Sequence, residues 1–401
     1  MGLNYIKRNK VSTPDLTKSE KLITQINSNI FLQEFTFQKN TFYPPDTKNE
    51  LQLADNIVWI DNLLFIFQIK ERNKEDQSDS MTETKWYQNK ILKIGVRQIK
   101  DTLKYLNEYP QIIIQNERGY RINVAKAPHD IINKIIIYLP GAGFPQENRF
   151  SKFYESRTAG LIHLFHIEDY YKICEYLATP AEIDEYLHFR ESIYLKHMGI
   201  INNLSEQYVL GNFLETDDVS NIEPKFVENL KKFKQDFSID EIYPILEMFR
   251  SNIESYGKRD DYFHILKEIA KLKRNEFKEF KKRFSVSIEK CNEQNIVVPY
   301  RISFPRTNCG FVFIPLAKKY SKNWKIALNN YTMAHKYDHK LNKCIGVIFF
   351  KSTNLKLPYE VFWEYVEFDW AYNKEMEKLL SEESPFRKTH EQELERYEFD
   401  K

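Results

Sequence analysis

From Asp55 to Lys70 the chain reads Asp-Asn-Ile-Val-Trp-Ile-Asp-Asn-Leu-Leu-Phe-Ile-Phe-Gln-Ile-Lys, a pattern with few ways to fold. Two apolar, β-prone runs, 57–60 and 63–67, flank Asp61-Asn62, a dipeptide suited to the positive φ angles of a tight hairpin turn. A two-residue turn pairs Ile60 with Leu63. Counting back along both strands places Asp55 opposite Gln68 with its side chain on the same face, and Lys70, two residues on, shares that face. Three polar groups thus converge at the end of an apolar hairpin.

The rest of the chain must supply the core around that hairpin. At 401 residues two or three domains are expected. A hydrophobic fraction of 42%, with 25 Tyr and 29 Phe, gives enough apolar material to exclude disorder as a description of the whole. The near balance of 59 basic and 57 acidic residues neither supports nor excludes nucleic acid, because local basic faces can hide in it. Cys174, Cys291, Cys309 and Cys344 lie far apart and show no zinc-site spacing, so they read as reduced thiols. No run is apolar enough to span a bilayer or act as a signal core. The opening Met-Gly has Ile6 where a myristoylation signal needs Ser or Thr. The expected address is cytoplasmic, without membrane.

The pattern predicts a helix over 17–27 capped by Thr17 with Glu20 in its first turn, a strand over 30–37, a proline-containing loop at 43–49, and then the hairpin. A polar segment, 71–83, reads as a surface loop near the site. An amphipathic helix follows over 91–106, with Ile94, Ile99, Leu103 and Leu106 on or near one stripe. Further strands are expected at 112–115, 121–124, 132–139 and 160–165. Gly141 and Gly143 form a lone Gly-x-Gly, read as a loop, and His163 and His166 read as structural. Helices are expected at 167–176, from the Thr179-Pro180 cap, at 224–233, 239–251 and 261–284. Strands follow at 296–302, 310–315, 344–350 and 360–368, with a helix over 324–334. The helix 261–284 is strongly basic. It is either a solvated, ion-paired face or a phosphate-contacting one through Lys271, Arg274 and Lys278. The aromatic cluster at 359–370 reads as core before it reads as a base-stacking platform.

Phosphodiester cleavage needs an activated water, a stabilised pentacovalent phosphate and a stabilised leaving oxygen. A magnesium ion serves the first two needs when a carboxylate and other hard oxygens hold it with positions left open. Asp55 supplies a carboxylate, Gln68 a neutral amide oxygen and Ile69 a backbone carbonyl. Lys70 can orient the water or hold the phosphate. Glu20, or Glu50 before the strand, can restore the negative charge that Gln68 lacks.

This Asp…Gln-x-Lys arrangement resembles the PD-(D/E)XK nuclease superfamily, in the variant with Gln before x-Lys found in Mrr-like restriction endonucleases. The resemblance covers roughly 17–165. It implies a restriction-endonuclease-like α/β fold, a mixed central sheet flanked by helices, over 1–166. A helical segment, 167–284, and a C-terminal α+β portion, 285–401, would follow. It also implies catalytic Asp55, Gln68 and Lys70; a metal site for Mg²⁺ or Mn²⁺ made of Asp55, Gln68, the Ile69 carbonyl and Glu20; and Gln98 as a supporting residue. The implied activity is an Mg²⁺-dependent endodeoxyribonuclease, with DNA or RNA as partner and a setting of restriction or antiviral defence. A second copy of the chain or a defence-system protein would be the protein partner. The alternative is an inactive nuclease fold that binds or scaffolds nucleic acid.

Overall fold

The computed structural model of the chain describes residues 16–45, 49–72, 79–128, 131–177, 179–228, 230, 261–293, 295, 297–352, 358–382 and 384–393. It divides into two compact units, 1–171 and 172–401. The expected segments 167–284 and 285–401 therefore share, from residue 172 on, one unit. The helix expected at 239–251 lies outside the described residues.

The first unit is a mixed α/β layer structure. Helix α1 (Lys18–Ile30) opens with the expected Thr17 cap, which Glu20 completes as a capping box: the Thr17 side chain accepts from the Glu20 amide, and Glu20 accepts from the Thr17 amide. Strands β1 (Thr36–Phe42), β2 (Leu51–Ile60) and β3 (Leu63–Glu71) form an antiparallel set. The strand expected from residue 30 begins six residues later. Phe31 still caps the helix, and Leu32 takes a left-handed φ of 67° in the turn that follows, which breaks any extended run there.

The hairpin register is the expected one, from Ile60 opposite Leu63 back to Asn56 opposite Phe67, with Asp61 at φ 56° in the turn. Beyond β3, strands β4 (Ile113–Gln115) and β5 (Arg121–Asn123) make a separate small ribbon. Strand β6 (Ile132–Leu139) then pairs parallel to β3, and β8 (Gly160–His166) pairs parallel to β6, with the short β7 (Phe153–Ser156) antiparallel at the edge. The sheet order is β1-β2-β3-β6-β8-β7. Its parallel centre needs cover on both faces.

One face is covered by α1 and the start of α5 (Ile167–Tyr176). Phe31, Phe65, Phe67, Phe165 and Tyr170 pack ring on ring there. A buried polar chain crosses the same face: Tyr170 donates to Asn27 Oδ1 at 2.7 Å, and Asn27 donates to Asn56 Oδ1 at 3.0 Å. The other face is covered by one helical run, α2 (Ser80–Trp86), a π-helical stretch at Tyr87–Gly95 and α3 (Val96–Glu108). Its buried residues are Glu83, Trp86, Tyr87, Ile91, Gly95, Val96, Ile99, Thr102 and Leu106, while Ile94 and Leu103 are only half-buried. The π stretch explains the shift from the expected stripe. Each i→i+5 turn holds extra backbone and rotates the following face. Gly95 lies where this run meets the sheet closely: a Cβ there would lie 3.2 Å from Ile136 Cδ1, so that side chain would have to give by a few tenths of an ångström. The segment expected as a loop to residue 83 is helical from Ser80, and Glu83 is fully buried.

The second unit begins with the rest of α5, followed by α6 (Pro180–Ile201), capped by Thr179, and α7 (Glu206–Glu215). The basic region 261–284 is two helices, α8 (Asp261–Ala270) and α9 (Arg274–Lys290). A four-stranded sheet follows, ordered β12-β11-β10-β9 and built from β9 (Tyr300–Phe304), β10 (Cys309–Pro315), β11 (Lys343–Lys351) and β12 (Tyr359–Glu367). β10 and β11 are parallel, joined through α10 (Trp324–Asp338), and α11 (Lys374–Glu382) lies beyond β12. The aromatic residues of β12 build core: Phe362 stacks on Trp324 at 3.9 Å, and Trp363 stacks on Phe284 at 5.8 Å. Among the described residues no helix is long and apolar enough to cross a membrane.

Candidate active site

Alternation along β2 and β3 puts Asp55, Gln68 and Lys70 on the face that carries Ile57, Leu64 and Ile66, beneath the 80–108 helical run. The three side chains lie where β3 runs beside the carboxyl end of the parallel strand β6, Gln68 level with Ile136 and Lys70 with Tyr138. Crevices outside the carboxyl ends of parallel strands are where open α/β sheets place their chemistry.

Lys70 Nζ is the centre of the cluster. It donates to Asp55 Oδ2 at 3.1 Å, to the Ile69 carbonyl at 3.0 Å and to Gln68 Oε1 at 3.4 Å. Asp55 is held twice more: Oδ2 accepts the Ile69 amide at 2.6 Å and Oδ1 accepts Gln52 Nε2 at 2.8 Å. The hairpin ladder ends at Asn56 and Phe67, and the Asp55 side chain takes the next β3 amide in place of a strand carbonyl. The Asp55 side chain is 4% exposed and that of Lys70 is 14% exposed, so the cluster is buried with an opening on the lysine side.

The sequence-predicted trio is therefore one constellation; the other expected residues divide. Glu20 is exposed, its carboxylate closes the α1 capping box, and α1 packs on the opposite face of the sheet. This corrects its expected place beside Asp55. Glu50 is likewise engaged elsewhere, accepting from Thr41 Oγ1 at 2.7 Å. Gln98 lies on α3 one turn before Thr102, whose hydroxyl donates to the Leu53 carbonyl of β2, and the buried Gln98 Oε1 has no hydrogen-bond partner.

Two of the expected nucleic-acid residues on the basic helix, Lys271 and Arg274, are also corrected. Lys271 is buried on Glu268 at 2.8 Å, and Arg274 is buried on Glu182 and on the Tyr176 carbonyl. Of the three, Lys278 alone is exposed. A desolvated cation already matched to a buried carboxylate has nothing left to offer a phosphate.

Two acids that the sequence did not single out frame the cluster. Glu71, next to Lys70 but on the α1 face, accepts the Ser19 amide at 3.0 Å, the place where a helix amino end favours a carboxylate. Glu83 accepts from Arg72 Nε at 2.9 Å and from the Gly141 amide at 2.9 Å. It fastens the Gly-x-Gly loop to the end of β3. His163 stacks on Phe165, and His166 Nδ1 accepts the Glu168 amide at 3.3 Å, both as core residues.

One carboxylate, one amide oxygen and one backbone carbonyl are all hard oxygens, and all three already face a single cationic centre. One carboxylate is within what protein magnesium sites use, the balance coming from water and substrate phosphate. No group of three or more His, Cys, Asp or Glu side chains that could hold a metal ion occurs among the described residues. The residues fit the ion in kind. No family model, curated protein or solved structure matches the chain.

Proposed function

We propose that the first unit is a magnesium-dependent nuclease that hydrolyses DNA phosphodiester bonds, of the PD-(D/E)XK kind with glutamine in the second acidic position. The observation that supports it is the convergence of Asp55 Oδ2, Gln68 Oε1 and the Ile69 carbonyl on one cation at 3.0–3.4 Å. Asp55, Gln68 and the Ile69 carbonyl would hold Mg²⁺, which supplies Lewis acidity to a phosphoryl oxygen and lowers the pKa of a bound water.

The chain's own groups do the remaining work. Gln52 and the Ile69 amide fix the Asp55 carboxylate, so its position costs no reorganisation when substrate arrives. Lys70 has a flexible four-carbon stem and access to solvent, so its ammonium can turn outward to the non-bridging oxygens of a phosphate as their charge grows. Gln68, being neutral, leaves that ammonium paired with one carboxylate rather than two. A role in restriction or antiviral defence rests on the family resemblance of the Asp…Gln-x-Lys pattern.

A specific observation favours a second reading. Asp55 is the one carboxylate in the set, and Lys70 sits where the ion would sit, as expected of a nuclease fold kept for binding or scaffolding. Purified chain incubated with linear and circular DNA, and with RNA, in Mg²⁺, Mn²⁺ or EDTA separates the two. Metal-dependent cleavage lost in Lys70→Ala supports the enzyme. DNA binding without cleavage in any metal overturns it in favour of the scaffold.

A further inference from the structure

From Gln294 through Tyr337 the sequence contains no Asp or Glu, in a chain where acidic residues are otherwise as common as basic ones. The basic residues of this stretch fall into two groups. Arg301 pairs with Asp338 and lies over the Phe386 ring, Arg306 pairs with Glu276, and Lys336 is buried with its ammonium 3.5 Å from the Phe368 ring centre. The remaining four, Lys318, Lys319, Lys322 and Lys325, are all exposed.

These four crowd into a single 3-10 turn, Lys318–Asn323, and the first turn of α10. In a 3-10 helix residues three apart eclipse one another with a rise of about 6 Å, so Lys319 and Lys322 share an edge and Lys325 continues it. No ion pair joins Lys318, Lys319 or Lys322 to a carboxylate among the described residues. On the neighbouring strand β12, Glu360 accepts from Ser352 at 2.9 Å and Glu364 from Asn329 at 2.9 Å. Two rings are set among the lysines, Tyr320 with Lys319 Nζ at 5.0 Å and Trp324 with Lys325 Nζ at 5.4 Å from their centres.

Repulsion among the like charges of Lys318, Lys319 and Lys322 opposes their crowding, and a polyanion would relieve it. We propose that the Lys318–Lys319–Lys322–Lys325 surface binds the phosphate backbone of nucleic acid without regard to sequence. In this it rests on the nuclease reading and gives that substrate a second contact. A lipid surface fits less well. The exposed side chains of the first α10 turns are Lys325, Ile326, Asn329 and Asn330, with one apolar residue where an interfacial helix needs a face of them.

The test uses full-length protein in EDTA, so that binding is read without cleavage, by fluorescence anisotropy with a labelled DNA of arbitrary sequence across a salt series. Changing all four lysines to Gln should weaken binding at least about tenfold and flatten the slope of log K against log salt by about three to four. The control Lys278→Gln with Lys282→Gln, on exposed positions of α9, should leave both unchanged, and circular dichroism melting should match wild type for each variant. Unchanged affinity and slope in the fourfold variant would overturn the proposal, even if the protein cleaves DNA. Loss of binding in a protein that never cleaves would uphold it while the nuclease reading falls. Binding to phosphatidylserine vesicles that depends on the four lysines, with DNA affinity unaffected, would also overturn it.

Discussion

The amide of Ile69 lies 2.6 Å from Asp55 Oδ2, so the candidate carboxylate is fastened to the backbone of the strand that carries Gln68 and Lys70. The same residue turns its carbonyl to Lys70 Nζ at 3.0 Å. One peptide of β3 therefore sets both the anion and the cation of the site, and displacing either disturbs the other.

Asp55→Ala leaves the Ile69 amide without its acceptor and Lys70 without its counter-charge. The expected loss of stability is about 2–4 kcal/mol, toward the low end because Lys70 keeps access to water. Asp55→Asn, which keeps an acceptor oxygen, should lose less stability while abolishing any cleavage. Urea unfolding of both variants checks the order. Equal destabilisation would show that the amide contact carries no weight.

Gln68→Glu would supply the second carboxylate of the acidic form of the motif. Charge count governs affinity for a hard divalent cation, so the variant should bind Mg²⁺ and Mn²⁺ more tightly than wild type in calorimetric titration, by about tenfold or more. Unaltered affinity would mean that Gln68 does not face the ion.

Glu20 closes a helix cap. Glu20→Ala should therefore cost about 0.5–1 kcal/mol of stability, and DNA cleavage measured below the melting range should equal that of wild type. A loss of cleavage at unchanged stability would return Glu20 to the active site.

In the second unit, His335 is fully buried and its Nε2–H donates to the Ile302 carbonyl at 3.2 Å. Burial pushes its pKa down to about 3, with positive neighbours His339 and Arg301 adding to the effect and the Ile302 contact opposing it. Unfolded, the imidazole returns to about 6.5. Between these values the unfolded chain binds more protons, so stability is full above about pH 6.5 and is lost as pH falls toward 3, by up to about 1.4 kcal/mol per pH unit. His335→Gln should show a shallower loss in denaturation curves taken from pH 7 to 4. Matching slopes would refute the assignment.

The candidate trio was legible because everything that places it is local: one turn, two apolar runs and strict alternation. Strand β6 was legible for the same reason, an apolar run from Ile132 to Leu139 needing no partner to be seen. What escaped depended on distant partners. Arg274 looks like a surface cation until Glu182, 92 residues earlier, meets it in the interior. Glu83 reads as part of a polar loop until Arg72 and Gly141 arrive. The rotation of the α3 face came from a π stretch, which leaves no periodic mark in so short a sequence. The exposed lysines at 318–325 show themselves only once Arg301, Arg306 and Lys336 are seen to be occupied.

The Glu83 carboxylate gives the crevice a property of timing as well as of place. Its two oxygens tie the guanidinium of Arg72, just past the end of β3, to the amide of Gly141, just past the end of β6. Arg72 also donates its own amide to the Leu139 carbonyl at 2.9 Å. The two chain segments leaving the crevice are thus tied to one carboxylate, and the Gly141 proton should exchange with solvent only when Glu83 lets go. The rim of the site would open in a single event rather than fray residue by residue.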